Sequence, residues 1–374
     1  MTGLPTAPER QDESSGARGE PDGSVLRMTD PDVLAFVEGL PKAELHVHML
    51  GAASVETVLG LSRRYPEIGL PQEEAAMRDF YRFTDFAHFI EVYDAINRLV
   101  RTADDVHELS VGLGHDLAAV GVRYAEVTVT ADSHLRVGIP PDALSDALAR
   151  GRADVLSATG VELAWVFDID GDHGIASGER TLAWAQQHAP KGSIGFGLGG
   201  SEAGVPRSAF ADIFRRASEI GLHSVPHAGE TVGPEQVWAS LDHLGAERIG
   251  HGIAAAQDLR LMEALVERDV ALEVCPTSNV STKAVRTLED HAFPVLREAG
   301  VRLTVNTDDP GMFATDLNTE YLIAHEVFGL DVNEISDLAR ESVRASFAPD
   351  ETRARILAEI DAYAEQHRNT PDRV

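Results

Sequence analysis

Two histidines two residues apart, His46 and His48, close a short apolar run near the start of the chain. Side chains two apart on a β-strand share a face, so both imidazoles can address one ion. His227 ends another apolar run, in His227-Ala228-Gly229-Glu230, and Asp308 ends a third, in Asn306-Thr307-Asp308-Asp309-Pro310. Three neutral imidazoles and one carboxylate leave a divalent cation with one residual positive charge. That donor set suits one Zn²⁺ with a water in an open position. The ion lowers the pKa of that water toward neutrality, which makes hydroxide available at cell pH.

Three more residues lie beside these. Glu230 follows Gly229, whose backbone freedom permits a turn that brings the carboxyl back toward His227. It reads as a zinc ligand, a proton donor, or a charge at a helix N-terminus. His251 stands between Gly250 and Gly252. It can be a fourth imidazole ligand, but a base beside the bound water is the better reading. Asp309 cannot easily share the ligand role with Asp308, because neighbouring strand residues face opposite ways. A turn at Pro310 can still aim it at a substrate. Taken singly, each histidine is an ordinary buried, hydrogen-bonded side chain. Their recurrence at strand ends is what argues for a site.

Ligands at the ends of several strands require a scaffold that gathers those ends. Eight short β-like runs alternate with helical patterns: 43–48, 122–129, 161–169, 194–198, 223–227, 248–251, 271–274 and 302–307. Eight is the number a closed parallel barrel needs, with its site at the C-terminal mouth. The fold class is therefore α/β, a (β/α)8 TIM barrel. Phe210, Ile213, Phe214, Ala217 and Ile220 share one helical face, with Ser208 as N-cap and Gly221 as stop. Ile356, Leu357, Ile360 and Tyr363 make a similar stripe. The stretch from Gly51 to Val100 is longer than one crossover helix requires, so extra helices follow strand 1. Its Phe80, Phe83, Phe86 and Phe89 line a substrate lid or form the core of that insertion.

Residues 1–27 are rich in Gly, Pro, Ser, Glu and Asp, too polar to offset their ordering entropy, and are expected to be a disordered tail. A single domain spans 28–365, and 366–374 is expected to be flexible. The net charge of −29 repels nucleic acid and anionic membrane surfaces. No stretch is apolar enough for a bilayer span or a signal peptide. The one cysteine, Cys275, allows no intramolecular disulfide, fits a reducing compartment and reads as a buried inert thiol. The expectation is a cytoplasmic protein.

The segments Pro41-Lys42-Ala43-Glu44-Leu45-His46-Val47-His48, His227-Ala228-Gly229-Glu230, Ile249-Gly250-His251-Gly252, Cys275-Pro276-Thr277-Ser278-Asn279 and Thr307-Asp308-Asp309-Pro310 resemble, in order, the motifs of the adenosine deaminase family. The resemblance implies a single zinc held by His46, His48, His227 and Asp308. It implies that Glu230 protonates N1 of a 6-aminopurine, and that His251 orients the water and takes its proton. Asp309 would bond N7 and the attacking hydroxide. Gly200 would offer its amide to N3. The implied enzyme is an aminohydrolase of a cyclic amidine C–N bond, acting on a purine nucleoside.

One departure bears on the substrate. The family's usual His-x-His-Leu-Asp-Gly is here His46-Val47-His48-Met49-Leu50-Gly51. The family's aspartate holds the ribose 5′-hydroxyl, and Leu50 cannot; a leucine favours apolar bulk instead. Thr128 also stands where many relatives have arginine. The expected substrate is an adenine nucleoside altered at its 5′ end, such as 6-amino-6-deoxyfutalosine of menaquinone synthesis. Arg82, Arg136 and Lys283 are candidates to meet its carboxylate. Phe83, Phe86 and Leu50 are candidate substrate contacts. An adenosine or adenine deaminase of purine salvage is the alternative, and another metallo-hydrolase on the same barrel a further one.

Overall fold

The structure is a computed structural model that describes residues 29–368. The tail expected over 1–27 and the segment 369–374 lie outside the described residues. Eight strands follow one another around a single parallel sheet: β1 Lys42–His48, β2 Val122–Val129, β3 Glu162–Asp170, β4 Ser193–Gly199, β5 His223–Ala228, β6 Arg248–His251, β7 Ala271–Val274 and β8 Leu303–Val305. Every predicted strand is present, to within two residues at most of its ends. Helices on the outside cover each strand, so the strands are buried on both faces. That is why they read as near-continuous apolar runs rather than alternating ones.

Strand β8 is the exception, three residues long where six were expected. Asn306 uses its side chain there, where Oδ1 accepts the Leu45 amide at 3.0 Å. Asp308 then adopts φ +65°, which breaks strand geometry. The barrel closes through this residue. Asp308 N–H donates to His46 O at 2.9 Å, and His48 N–H donates to Asp308 O at 2.8 Å.

Gly51–Val100 does add helices after β1: Val55–Arg64, Glu74–Phe80 and Phe86–Asn97. The crossover helix Ala103–Ala119 then begins at a reciprocal cap between Thr102 and Asp105. Ile213, Phe214 and Ala217 are buried as expected, and Gly221 ends that helix at φ +84°. Ser208 does not cap it. A 3-10 turn over Arg207–Phe210 precedes the helix and moves its start to Ala211. The last helix runs over Asp350–Arg368, so residues 366–368 are helical. Among the described residues, no helix is long and apolar enough to cross a membrane.

Candidate metal centre and its cavity

Strand β1 delivers His46 and His48, β5 delivers His227, and the turn after β8 delivers Asp308. Asp308 Oδ1 lies 3.3 Å from both His46 Nε2 and His48 Nε2. His48 Nε2 and His227 Nε2 face each other at 3.1 Å. All four donor atoms lie within 4.8 Å of one another, and all four residues are buried. Gly250 makes room: a Cβ there would stand 2.7 Å from His46 Cε1 and 3.2 Å from His227 Cγ.

The donors fit a divalent cation on their own chemistry. His46 Nε2 is buried with no hydrogen-bond partner. Burial pushes His48 down to about 4 and His227 well below its usual range, so both are neutral and able to bind metal. Burial acts the same way on His46, but Asp308 and Glu273 outweigh it and raise it to about 10. Burial would raise Asp308, yet His46, 3.3 Å away, and the surrounding imidazoles hold it well below the usual carboxylate range. His46 and Asp308 thus form an ion pair where a cation would sit.

A layer behind the donors orients them. His46 Nδ1 donates to Glu273 Oε2 at 2.9 Å, which leaves Nε2 facing the centre. Arg248 Nε donates to Glu273 Oε1 at 2.6 Å, and its other nitrogens reach Glu126 and the Ala345 carbonyl. The Phe347 ring lies 3.9 Å from the guanidinium. Ser278 Oγ donates to Asp308 Oδ2 at 2.6 Å. Cys275 is buried with its thiol pushed up by burial, an inert group as expected.

Glu230 and His251 meet beside the donors, with Glu230 Oε2 3.6 Å from His251 Nε2. Thr282 Oγ1 donates to Glu230 Oε1 at 3.4 Å. Burial, then the Asp308 charge, raises the Glu230 carboxyl well above its usual value, so it carries a proton. His251 is fixed from behind. Phe293 N–H donates to His291 Nδ1 at 3.1 Å, so His291 carries its proton on Nε2 and gives it to Asn279 Oδ1, also at 3.1 Å. The Asn279 amide then donates to His251 Nδ1 at 3.1 Å. That polarity leaves the His251 proton on Nε2, facing the cavity. Asp309 packs against Gly51, where a Cβ would come within 1.7 Å of its Oδ1.

These groups line one side of a partly open cavity of about 90 Å³. Gly200, at φ +76°, lines it too. Phe86, Phe89, Ile90 and Tyr93 from the inserted helices form its apolar wall, and Asp94, Asp170, Asp172 and His173 its acidic rim. Phe83 packs edge-on against Phe89 and Phe313 instead of joining that wall. Leu50 lines a smaller adjoining cavity that shares Tyr93, Thr130 and Ser133 with the larger one. Of the candidate cations, Arg136 is at the rim, bonded to Asp170 at 3.0 Å. Arg82 is paired with Asp79, and Lys283 is exposed. Another, more open groove, lined by Glu44, Arg78 and Asp316, holds none of the donors.

Sequence reasoning missed Glu126, Glu273, Arg248 and Asp168. Each is a charged residue inside an apolar strand, where burial demands a partner; that was the available signal.

The family model described as adenosine deaminase matches residues 41–363. This chain belongs to the adenosine deaminase family. As a member it is a hydrolase of the C–N bond class. An aminodeoxyfutalosine deaminase of Streptomyces avermitilis is 48% identical over 349 residues, 93% of this chain and 96% of that one. An adenine deaminase of Streptomyces coelicolor is 36% identical over 87% of this chain and 96% of its own. The crystal structure of an adenine deaminase from Arthrobacter aurescens superimposes with a TM-score of 0.83, at 32% identity. It covers 87% of this family member and 99% of that chain.

Proposed function

We propose that this protein is a zinc-dependent deaminase that converts a 6-aminopurine nucleoside to the 6-oxo product and ammonia. The observation that carries the reading is the convergence of His46, His48, His227 and Asp308 beside Glu230 and His251. Zinc, when bound there, supplies the Lewis acidity that makes water nucleophilic at neutral pH.

The side chains do the rest. An aromatic C6 is a poor electrophile, and the proton on Glu230 answers this by passing to ring N1. The Gly200 amide meets N3. Asp309, raised by burial and by Asp308, holds a proton and donates it to N7, which only accepts. His251 presents Nε2–H to the incoming oxygen and orients it, the first half of the role its motif implies. Water's oxygen ends on C6; one of its protons leaves with the two amino hydrogens as ammonia, the other restores the acid form of Glu230, and the product keeps the proton at N1.

For the substrate, the 48% relatives favour 6-amino-6-deoxyfutalosine, and Leu50 favours an altered 5′ end over a free 5′-hydroxyl. The cavity beside Leu50, lined also by Met49 and Thr128, is where that end would go. Relatives named adenine deaminase favour the second reading, a purine-salvage enzyme acting on adenosine or adenine. A small-molecule substrate, a cytoplasmic setting and no nucleic-acid partner accord with the charge and the single cysteine. Ammonia release from 6-amino-6-deoxyfutalosine, 5′-deoxyadenosine, adenosine and adenine decides between the readings. The first is expected to give the highest kcat/KM; preference for adenosine or adenine removes it.

A further inference from the structure

Strand β4 carries glycine at 195, 197 and 199, and the turn after it at 200. A parallel-sheet strand weakens with each missing side chain, so such a run marks a place where something else needs the space. On β4 that something is β3. A Cβ at Gly195 would meet Val166 at 2.9 Å. One at Gly197 would meet Asp168 Cβ at 3.1 Å, and one at Gly199 would meet Asp168 Oδ2 at 2.8 Å. Two of the three glycines clear room for one carboxyl group.

That carboxyl is 3% exposed, and it lines the main cavity. Thr130 Oγ1, from the end of β2, donates to its Oδ1 at 2.7 Å. Thr130 is its one side-chain hydrogen-bond partner among the described residues, and it is not one of the four candidate metal donors. A buried carboxyl held by one hydroxyl and its own backbone amide has acceptor capacity left, which a ligand hydroxyl would fill. Its position matches a sugar. Asp168 is one strand from the Gly199–Gly200 backbone, where the purine edge lies in the reading above. It lines the same cavity as Gly200, Asp94 and Asp170.

We propose that Asp168 is the residue through which this site recognises ribose, its carboxyl bonding a sugar hydroxyl and so selecting nucleosides over free bases. The proposal rests on the functional reading above and adds to it the choice between nucleoside and base. The surroundings are acidic, and burial and then Asp170 raise the Asp168 carboxyl, so a neutral sugar hydroxyl fits here better than an anionic group. Thr130 is the positioning partner that turns Oδ2 inward.

The test uses the full-length zinc-loaded protein and four probes: 5′-deoxyadenosine, 2′,5′-dideoxyadenosine, 3′,5′-dideoxyadenosine and adenine. Wild type is expected to favour 5′-deoxyadenosine over at least one dideoxy analogue by about 10- to 100-fold in kcat/KM, the range of a hydrogen bond to a charged group. In Asp168→Ala that gap is expected to close, because only the hydroxyl-bearing substrate loses a partner. Asp168→Asn, near in shape and still an acceptor, is expected to keep part of the gap, and Thr130→Val to narrow it. If the alanine variant does not fold, the asparagine and valine variants are read in its place. A loss of equal size on all four probes, with the gap unmoved, would mean a structural role only and overturns the proposal. So does a wild type that prefers adenine. A wild type inert toward every aminopurine overturns the deaminase reading itself, and this proposal with it.

Discussion

Asp308 meets His46 twice. Its backbone amide donates to the His46 carbonyl at 2.9 Å, and its Oδ1 stands 3.3 Å from His46 Nε2. The first contact seals β8 to β1, and the second sets the carboxylate among the candidate metal donors. The residue's left-handed backbone, φ +65°, allows both, because it leaves strand geometry at the point where the side chain must turn inward.

The two roles separate in a variant. In Asp308→Ala the backbone bonds remain while the carboxylate goes. Turnover is expected to fall by about 10³ or more, since hydrolysis without the ion loses its nucleophile. Zinc content after dialysis is expected to drop to near zero. The melting temperature of the metal-free protein should stay close to that of metal-free wild type. A variant that keeps its zinc would show that the carboxylate is not a ligand.

Glu230→Gln keeps shape and loses the transferable proton. A drop in kcat of about 10²–10⁴, the usual worth of a general acid, is expected with KM changed only a few-fold. The pH profile follows from the raised pKa. The acid form is the working one, so wild-type kcat/KM should decline as pH rises through the elevated Glu230 value. Full turnover in the glutamine variant would instead favour hydrolysis of some other bond.

Glu273 and Arg248 touch no substrate, yet they hold His46. Glu273→Gln is expected to weaken zinc affinity by about 10- to 100-fold, as loss of an outer partner does elsewhere. Competition with a chelator measures it. Arg248→Met leaves Glu126 and Glu273 buried without their shared cation, and a loss of about 3–5 kcal/mol in urea unfolding is expected. An unchanged affinity and stability would remove both from the account.

The barrel was readable from sequence because its strands are buried on both faces and end in chemistry. His46, His48, His227 and Asp308 each close an apolar run, and the structure brings all four together. What escaped was the layer behind them. Glu273 sits in Ala271-Leu272-Glu273-Val274 and Glu126 in Ala125-Glu126-Val127, runs that read as plain strands. Their partner Arg248 is 122 residues from Glu126, and nothing local announces a pairing at that distance. Strand β8 was read too long for the opposite reason: Asn306 and Thr307 look like strand, but tertiary bonds to Leu45 and Glu44 pull them out of it.

Glu320 offers a test of stability apart from catalysis. It is fully buried, accepting from Thr277 N–H at 3.2 Å and Thr315 Oγ1 at 2.6 Å. Burial raises its carboxyl to about 7 from the usual 4.5. The folded state therefore holds this proton more tightly than the unfolded chain does. The resulting stabilisation is full below pH 4.5 and is lost as pH rises through 7. Glu320→Gln cannot ionise, so its unfolding free energy should fall less between pH 6 and pH 9 than that of wild type, by roughly 1–3 kcal/mol. Parallel curves for the two proteins would mean that Glu320 ionises freely.

Four side chains from three distant segments are expected to hold one zinc at the barrel mouth. Anomalous diffraction from zinc-loaded crystals, collected on both sides of the zinc edge, tests it most directly. A single strong peak is expected at about 2.0–2.2 Å from His46 Nε2, His48 Nε2, His227 Nε2 and Asp308 Oδ1. No peak there, or a zinc bound by other residues, would contradict it.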